Sequence, residues 1–264
     1  MMENHLLYDV PAILIALVLG IVMLLAMYLG KRAQGTSSKE EPKTASDAIL
    51  GALFGLLAFL LAISYNMAES RYAARKADIV QESNAIGTAA LRTQLYPTAQ
   101  GDSLRSFLKK FTAARIAMYQ AGRNLSVIQQ KLAEADAHLN QAWSLVVSYS
   151  KQAPTQVVIH NQMIPALNDL IDTAAERNAG IHNTVPDLII LMLLLLCVVI
   201  SFLSGYYFDI GAKDRLARLG FVLLISIVIY IILDLDRPRR GLINMNKTHA
   251  LMEQVYEQIP SSQR

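Results

Sequence analysis

The chain is poor in the groups on which redox, metal and covalent chemistry depend: of 264 residues one is cysteine, one is tryptophan, 7% are aromatic and 17% are charged. Cys197 alone builds neither an intramolecular disulfide nor a Cys-based metal site, and its apolar surroundings make it a small packing residue. The histidines His5, His138, His160, His182 and His249 are scattered, with no pair at metal-ligand spacing. No P-loop, dinucleotide glycine pattern or nucleophile elbow occurs. No enzyme activity, catalytic residue, metal ligand or cofactor is therefore expected. The formal charge is only +3, the basic residues are diluted by acids and no binding motif is present, so nucleic acid is not an expected partner. Internal repeats and low-complexity tracts are also absent.

What the chain does have is apolar sequence, 53% of it, gathered into four blocks. Residues 11–30, 48–68 and 188–208 carry no charged side chain. Each reaches the roughly 20 residues that a helix needs to cross ~30 Å of hydrocarbon. The fourth block, 219–233, is charge-free for 15 residues and gains length by extending to Arg218 and Asp234, whose side chains then sit at the interface. Apolarity without period-two alternation predicts helices rather than barrel strands. Residues 1–10 hold no Lys or Arg, and the first run is too long for a typical signal peptide, so that span is expected to stay as an anchor.

The expected fold is an all-α membrane protein with four transmembrane helices. Its parts are 1–68, with two spans and a polar loop at 31–47; a water-exposed helical domain at 69–185; two further spans at 186–235; and a basic C-terminal tail at 236–264. Asp47 is placed to cap the second helix, which continues through Arg92 until Pro97 and Gly101 break it. Leu104, Phe107, Leu108, Phe111 and Met118 then form an apolar stripe, with Arg105, Lys109, Lys110 and Arg115 on the remaining surface. Leu125 to Val146 and Met163 to Ala174 predict two more helices.

No ionisable side chain lies deep in a span, which argues against proton relays and voltage sensing. In the second span Gly51 and Gly55 stand in a Gly-x-x-x-Gly relation with Ala52, Ala58 and Ala62 nearby, which suits close helix packing and pore lining alike. Orientation is undecided by charge. Lys31, Arg32, Lys39, Lys43, Lys213, Arg215 and Arg218 stand on one side, and Arg71, Arg75, Lys76, Arg177, Arg237, Arg239, Arg240 and Lys247 on the other, a tie under the positive-inside rule. An even number of spans puts both termini and the helical domain on one side.

The stretch Ile63-Ser64-Tyr65-Asn66-Met67-Ala68-Glu69-Ser70-Arg71-Tyr72-Ala73-Ala74-Arg75 resembles the end of the pore-lining helix of bestrophin channels. Asn66, Ala68, Arg71 and Arg75 match the family's pattern, Tyr72 replaces one aromatic by another, and Ser64, Glu69, Ala73 and Ala74 depart from it. The chain is more closely similar to bacterial bestrophin-like membrane proteins of unassigned function, through Glu82 to Ala89 with Arg92 and through Asp234-Leu235-Asp236-Arg237-Pro238-Arg239-Arg240-Gly241. The resemblance implies a homopentamer in the bacterial inner membrane, with five second spans around an axis and the termini and helical domain in the cytoplasm. It projects an apolar neck onto Gly55, Phe59 and Ile63, and a pore exit or vestibule onto Asn66, Arg71 and Arg75. Membrane lipid, permeating small ions and further copies of the chain are the partners implied.

Alternatives stay open at three points. The shell can conduct ions past apolar rings that gate by dewetting, or serve as a non-conducting scaffold or sensor whose helical domain binds a cytoplasmic partner. Arg71, Arg75 and Lys76 can line a vestibule or pair with Glu69, Asp78 and Glu82. Asp234 and Asp236 beside Arg237, Arg239 and Arg240 can hold a cation or lock the neck through charge-assisted hydrogen bonds, or can simply end the last helix, with Pro238 and Gly241 stopping it and the arginines meeting lipid phosphates or carboxylates. A calcium clasp like that of animal bestrophins needs more acidic oxygens than this segment offers. The net charge does not choose between anions and cations.

Overall fold

The structure, a computed structural model, describes residues 10–34, 43–122, 124–181, 183–207, 212–237 and 241–260, the side chains of 43–46 and 212–215 excepted. Among the described residues every regular element is helical: α1 (Ala12–Gln34), α2 (Lys43–Arg92), a 3-10 turn (Thr93–Leu95), α3 (Thr98–Gln120), α4 (Leu125–Gln152), α5 (Val157–Ile181), α6 (Asp187–Tyr207), α7 (Ala212–Asp236) and α8 (Asn246–Gln258). α1, α2 from Asp47, α6 and α7 from Leu216 are long and apolar enough to cross a membrane, with mean hydropathies of 2.9, 2.3, 3.0 and 2.6. The protein is an all-α membrane protein with four such helices. The chain forms two compact units, one of 1–72 with 184–243 and one of 73–183 with 244–264.

In the first unit α1 packs along α6 and α7. Its contact with α6 is made by two glycines facing each other's helix backbone. A Cβ on Gly30 would collide with the Phe202 carbonyl, and one on Gly205 with the Met27 carbonyl. With no hydrophobic drive between helices in lipid, such close backbone approach is what creates van der Waals contact. Met23, Leu193, Cys197, Ile200 and Ile232 are completely buried around it. α2 adds one face to this core through Leu57, Leu61 and Ala68, and Leu50 and Ser64 are buried on the same face, at three- and four-residue steps and a seven-residue one.

The second unit is built on the amphipathic stripes that the sequence predicts. Leu104, Leu108, Phe111 and Met118 of α3 face Leu139, Ala142 and Val146 of α4, Met163, Leu167 and Leu170 of α5 and Met252 of α8 in one apolar cluster, apart from Met118, which is also fully buried. Three local expectations change. α2 starts at Lys43, so Asp47 lies inside it rather than capping it. Gly101 does not break a helix, since α3 starts at Thr98 directly after Pro97. Gly101 is buried within α3, where a Cβ would come within 2.7 Å of the Thr93 carbonyl, so glycine is what lets α3 pack against the 3-10 turn. Residues 246–258, read from sequence as tail, form α8, which docks through buried Met252 and Ile259, with Lys109 donating to the Ile259 carbonyl at 3.0 Å.

Within this core the Tyr96 ring lies 5.0 Å from that of Tyr149, and its buried hydroxyl has no hydrogen-bond partner among the described residues. Burial first, and then the Tyr149 neighbour, push its ionisation up to about 12.

Three outcomes are expected. Gly205→Val forces the α1 and α6 backbones apart and costs on the order of 1–3 kcal/mol, read as a lower unfolding temperature in detergent. Gly51→Ala and Gly55→Ala, where a Cβ meets nothing within 4 Å in the single chain, lose no packing inside the protomer. For Tyr96→Phe, the sign follows from the raised value: the unfolded tyrosine loses its proton near its ordinary value of 10 while the folded one holds it to about 12, so native stability falls as pH rises across that window. The phenylalanine variant does not titrate, so its stability relative to the native chain grows above pH ~10 in thermal melts. A constant difference at all pH values would show that Tyr96 is not the group responsible.

Candidate functional site

α2, onto which the neck is projected, has two unlike sides. Only 22% of its most apolar window is buried within the single chain. On the uncovered side stand Phe59, 61% exposed, and Ile63, 40% exposed, with Ala52, Gly55 and Ala62 open as well. At about 100° per residue, Gly55, Phe59 and Ile63 lie within roughly 40° of one line down the helix, and Asn66 and Ser70 within roughly 20° of Phe59. Asn66 and Ser70 are exposed. The residues projected onto a neck thus share one open stripe that passes from apolar to hydrogen-bonding.

The two arginines expected at the pore exit are engaged within the chain. Arg71 donates to the Thr184 carbonyl, and Arg75, 6% exposed, donates to the Asn183 carbonyl at 3.2 Å. Both therefore grip the link that leads from α5 into α6. Since guanidinium offers only donors, two backbone carbonyls without helical partners are natural acceptors for them.

Asp234, Asp236 and Arg237, all buried, tie other chain segments together. Asp236 accepts the Val185 amide with both oxygens, at 3.0 and 3.2 Å, and Asp234 accepts the Ile243 amide at 2.8 Å. Arg237 donates to the Val10 carbonyl. A Cβ on Gly241 would collide with the Asp234 carboxylate, so glycine is required where the chain folds back past the end of α7. Two carboxylates given to backbone amides and a cation given to a carbonyl make this cluster a fastening of the first unit. No group of three His, Cys, Asp or Glu poised for a metal occurs among the described residues. Arg239 and Arg240, with Pro238, lie outside the described residues, as do His5, His182 and loop residues 35–42.

Sequence reading missed the buried charge at the centre of the second unit. Glu82, weighed there as a partner for Arg71, Arg75 and Lys76, is fully buried and is bound by Arg115 of α3, with Nε 2.6 Å from Oε1, and by Arg177 of α5 at 2.5 Å. Arg115, expected on the water-facing surface, is only 1% exposed. It also donates to the Asn178 side chain at 2.6 Å. Arg177 donates to His249 of α8 at 3.4 Å, and the His249 ring stacks on Tyr119 with centroids 3.3 Å apart. The signal was present: Glu82 occupies the inward face of α2 between Ile79 and Ile86, where a carboxylate needs a buried partner.

Glu82→Gln is expected to cost about 3–5 kcal/mol, because it leaves two buried guanidiniums without their counter-charge. Thermal or denaturant unfolding measures it. A loss below about 1 kcal/mol, the scale of an exposed pair, would mean that water reaches the cluster.

A family model described as the bestrophin-like domain matches residues 14–250. No curated protein sequence matches the chain. Among solved structures, a bacterial bestrophin homologue from Klebsiella pneumoniae carrying a single substitution is 13% identical, with 94% of this chain and 97% of that chain covered and a TM-score of 0.70. The same organism's bestrophin homologue phased with zinc is 13% identical, with 94% and 96% covered and a TM-score of 0.67. A crystal structure described as a membrane protein is 12% identical, with 94% and 96% covered and a TM-score of 0.68. At these identities the likeness is one of fold, and it extends over all four apolar helices and the helical unit alike. The family match takes in the open stripe of α2, the arginines that hold the α5 to α6 link, and the fastening at the end of α7, so the chain belongs to the bestrophin-like family.

Proposed function

We propose that the protein is a pentameric ion channel in which five copies of α2 surround the conduction axis and Gly55, Phe59 and Ile63 form its apolar neck. The observation that carries this reading is the uncovered stripe of α2. A large aromatic 61% exposed beside small residues with nothing over them leaves a surface that other copies of α2 can share. A single helix in lipid would be indifferent to where its Phe and Ile stand, whereas here they align with Asn66 and Ser70 on one line. Narrow apolar rings dry out and close without a buried charge, which agrees with spans that hold no charged side chain deep in their interior.

The protein is read as a multi-pass component of the bacterial inner membrane, with both termini and residues 69–185 on the cytoplasmic side. Asn66 belongs to the exit from the neck. Arg71 supports that exit through the backbone of residue 184, and Asp234, Asp236 and Arg237 fasten the helices of the same unit. Lipid and the permeating ions are the other partners.

Native mass spectrometry of the solubilised protein should give five copies. Phe59→Ala and Ile63→Ala are expected to raise open probability or current in planar bilayers while the pentamer persists, because a wider ring dewets less. Their unfolding temperatures should change little within the protomer, since Phe59 and Ile63 are exposed there rather than packed. Currents unchanged by both substitutions would place the constriction elsewhere. A purified pentamer that passes no current would favour a membrane-anchored scaffold or sensor acting through its helical domain.

A further inference from the structure

Directly beyond the neck, the stripe of α2 changes chemistry without acquiring charge. Asn66 and Ser70, both exposed, lie within roughly 20° of the Phe59 line. The nearest charged side chains in sequence are Glu69 and Arg71. Glu69 is exposed but stands roughly 80° around the helix from Phe59, and Arg71 stands roughly 120° away on the other side. Arg71 is also committed to the Thr184 carbonyl of its own chain. In the first unit the first polar side chain that an ion meets after Ile63 on this line is thus a neutral carboxamide. An asparagine exposed at the end of an apolar span costs free energy if it faces hydrocarbon, and that cost disappears if it faces water in a pathway.

We infer that Asn66 is the residue that sets discrimination between ions of opposite sign, and that it does so as a ring of uncharged carboxamides through which small monovalent cations and anions both pass. The inference rests on the channel reading above. A carboxamide presents an oxygen that accepts and an NH2 that donates, so it solvates a cation through one atom and an anion through the other. Ser70, one turn further, repeats this amphoteric character with a hydroxyl. Rings of fixed charge are what give pores a strong preference for one sign, and none stands on this line in the first unit. Discrimination in the native protein is accordingly weak, and a single substitution at position 66 is enough to impose it in either direction.

The test is the reversal potential of the purified protein in planar bilayers under a KCl gradient. The native pore should reverse close to zero. Asn66→Asp should shift reversal towards the potassium equilibrium potential, and Asn66→Lys towards that of chloride. Ser70→Asp, a second variant in case Asn66→Asp fails to assemble, should shift it in the same direction as Asn66→Asp by a smaller amount. Glu69→Gln should leave it where it was. Native mass spectrometry confirms that each variant recorded is still the native oligomer. A native protein without current overturns the channel reading and this one with it. A native current whose reversal ignores the charges placed at 66 and 70, or follows Glu69 instead, overturns the role of Asn66 alone and leaves the channel intact.

Discussion

Everything in this structure depends on α2 remaining a single helix for 50 residues, from the apolar stretch at its start to the turn after Arg92. A backbone in lipid has to satisfy its own hydrogen bonds, and a helix does so without outside help. That constraint fixes the direction of every side chain along α2 once one of them is fixed. Leu57, Leu61, Ser64 and Ala68 turn inward and Phe59, Ile63 and Asn66 turn outward because both sets follow the same period. The packed face and the open face are therefore two consequences of one register. A proline or an inserted residue anywhere in that stretch would rotate one set against the other.

The charged residues follow a common rule in both units: a guanidinium is placed where it can use its several donors, and a carboxylate where amides or guanidiniums reach it. Arg71, Arg75 and Arg237 serve backbone carbonyls at the ends of helices, while Asp234 and Asp236 serve backbone amides. Glu82 serves two guanidiniums. Such buried pairs add little net stability over apolar packing, but removing one partner is costly, so they fix which segments meet. In the second unit Glu82, Arg115, Arg177 and His249 join α2, α3, α5 and α8 at one place, which no arrangement of leucines would specify as narrowly.

Glycine marks the closest approaches. Gly30 and Gly205 let α1 and α6 touch backbone to backbone, Gly101 lets α3 lie against the 3-10 turn, and Gly241 passes the Asp234 carboxylate. Gly51 and Gly55 differ from these: within the protomer nothing approaches them. Gly55 lies within roughly 40° of the Phe59 line and Gly51 roughly 80° from it, both on the side of α2 that the protomer leaves open.

The number and place of the apolar helices, the apolar faces of α3 and α5 and the family were legible in the residues, because each depends on a local property: length of an uncharged run, spacing along one helix, or a short motif. That Gly55, Phe59, Ile63 and Asn66 lie near one line along α2 was legible for the same reason, since a helical period holds whatever surrounds it, whereas the openness of that line appears only in the structure. Which partner each charge chooses was not. Arg115 looks like a surface residue beside Lys109 and Lys110, and only the packing of α2 and α5 against α3 encloses it with Glu82. Gly101 reads as a helix breaker until the Thr93 carbonyl is seen beside it. Residues 246–258 have no long apolar run and read as tail, yet buried Met252, the adjoining Ile259 and a stacked His249 dock them, because the rest of the apolar cluster is supplied by helices distant in sequence. Periodicity along one helix is a property of the chain, whereas the identity of a neighbour across an interface exists only once the chain has folded.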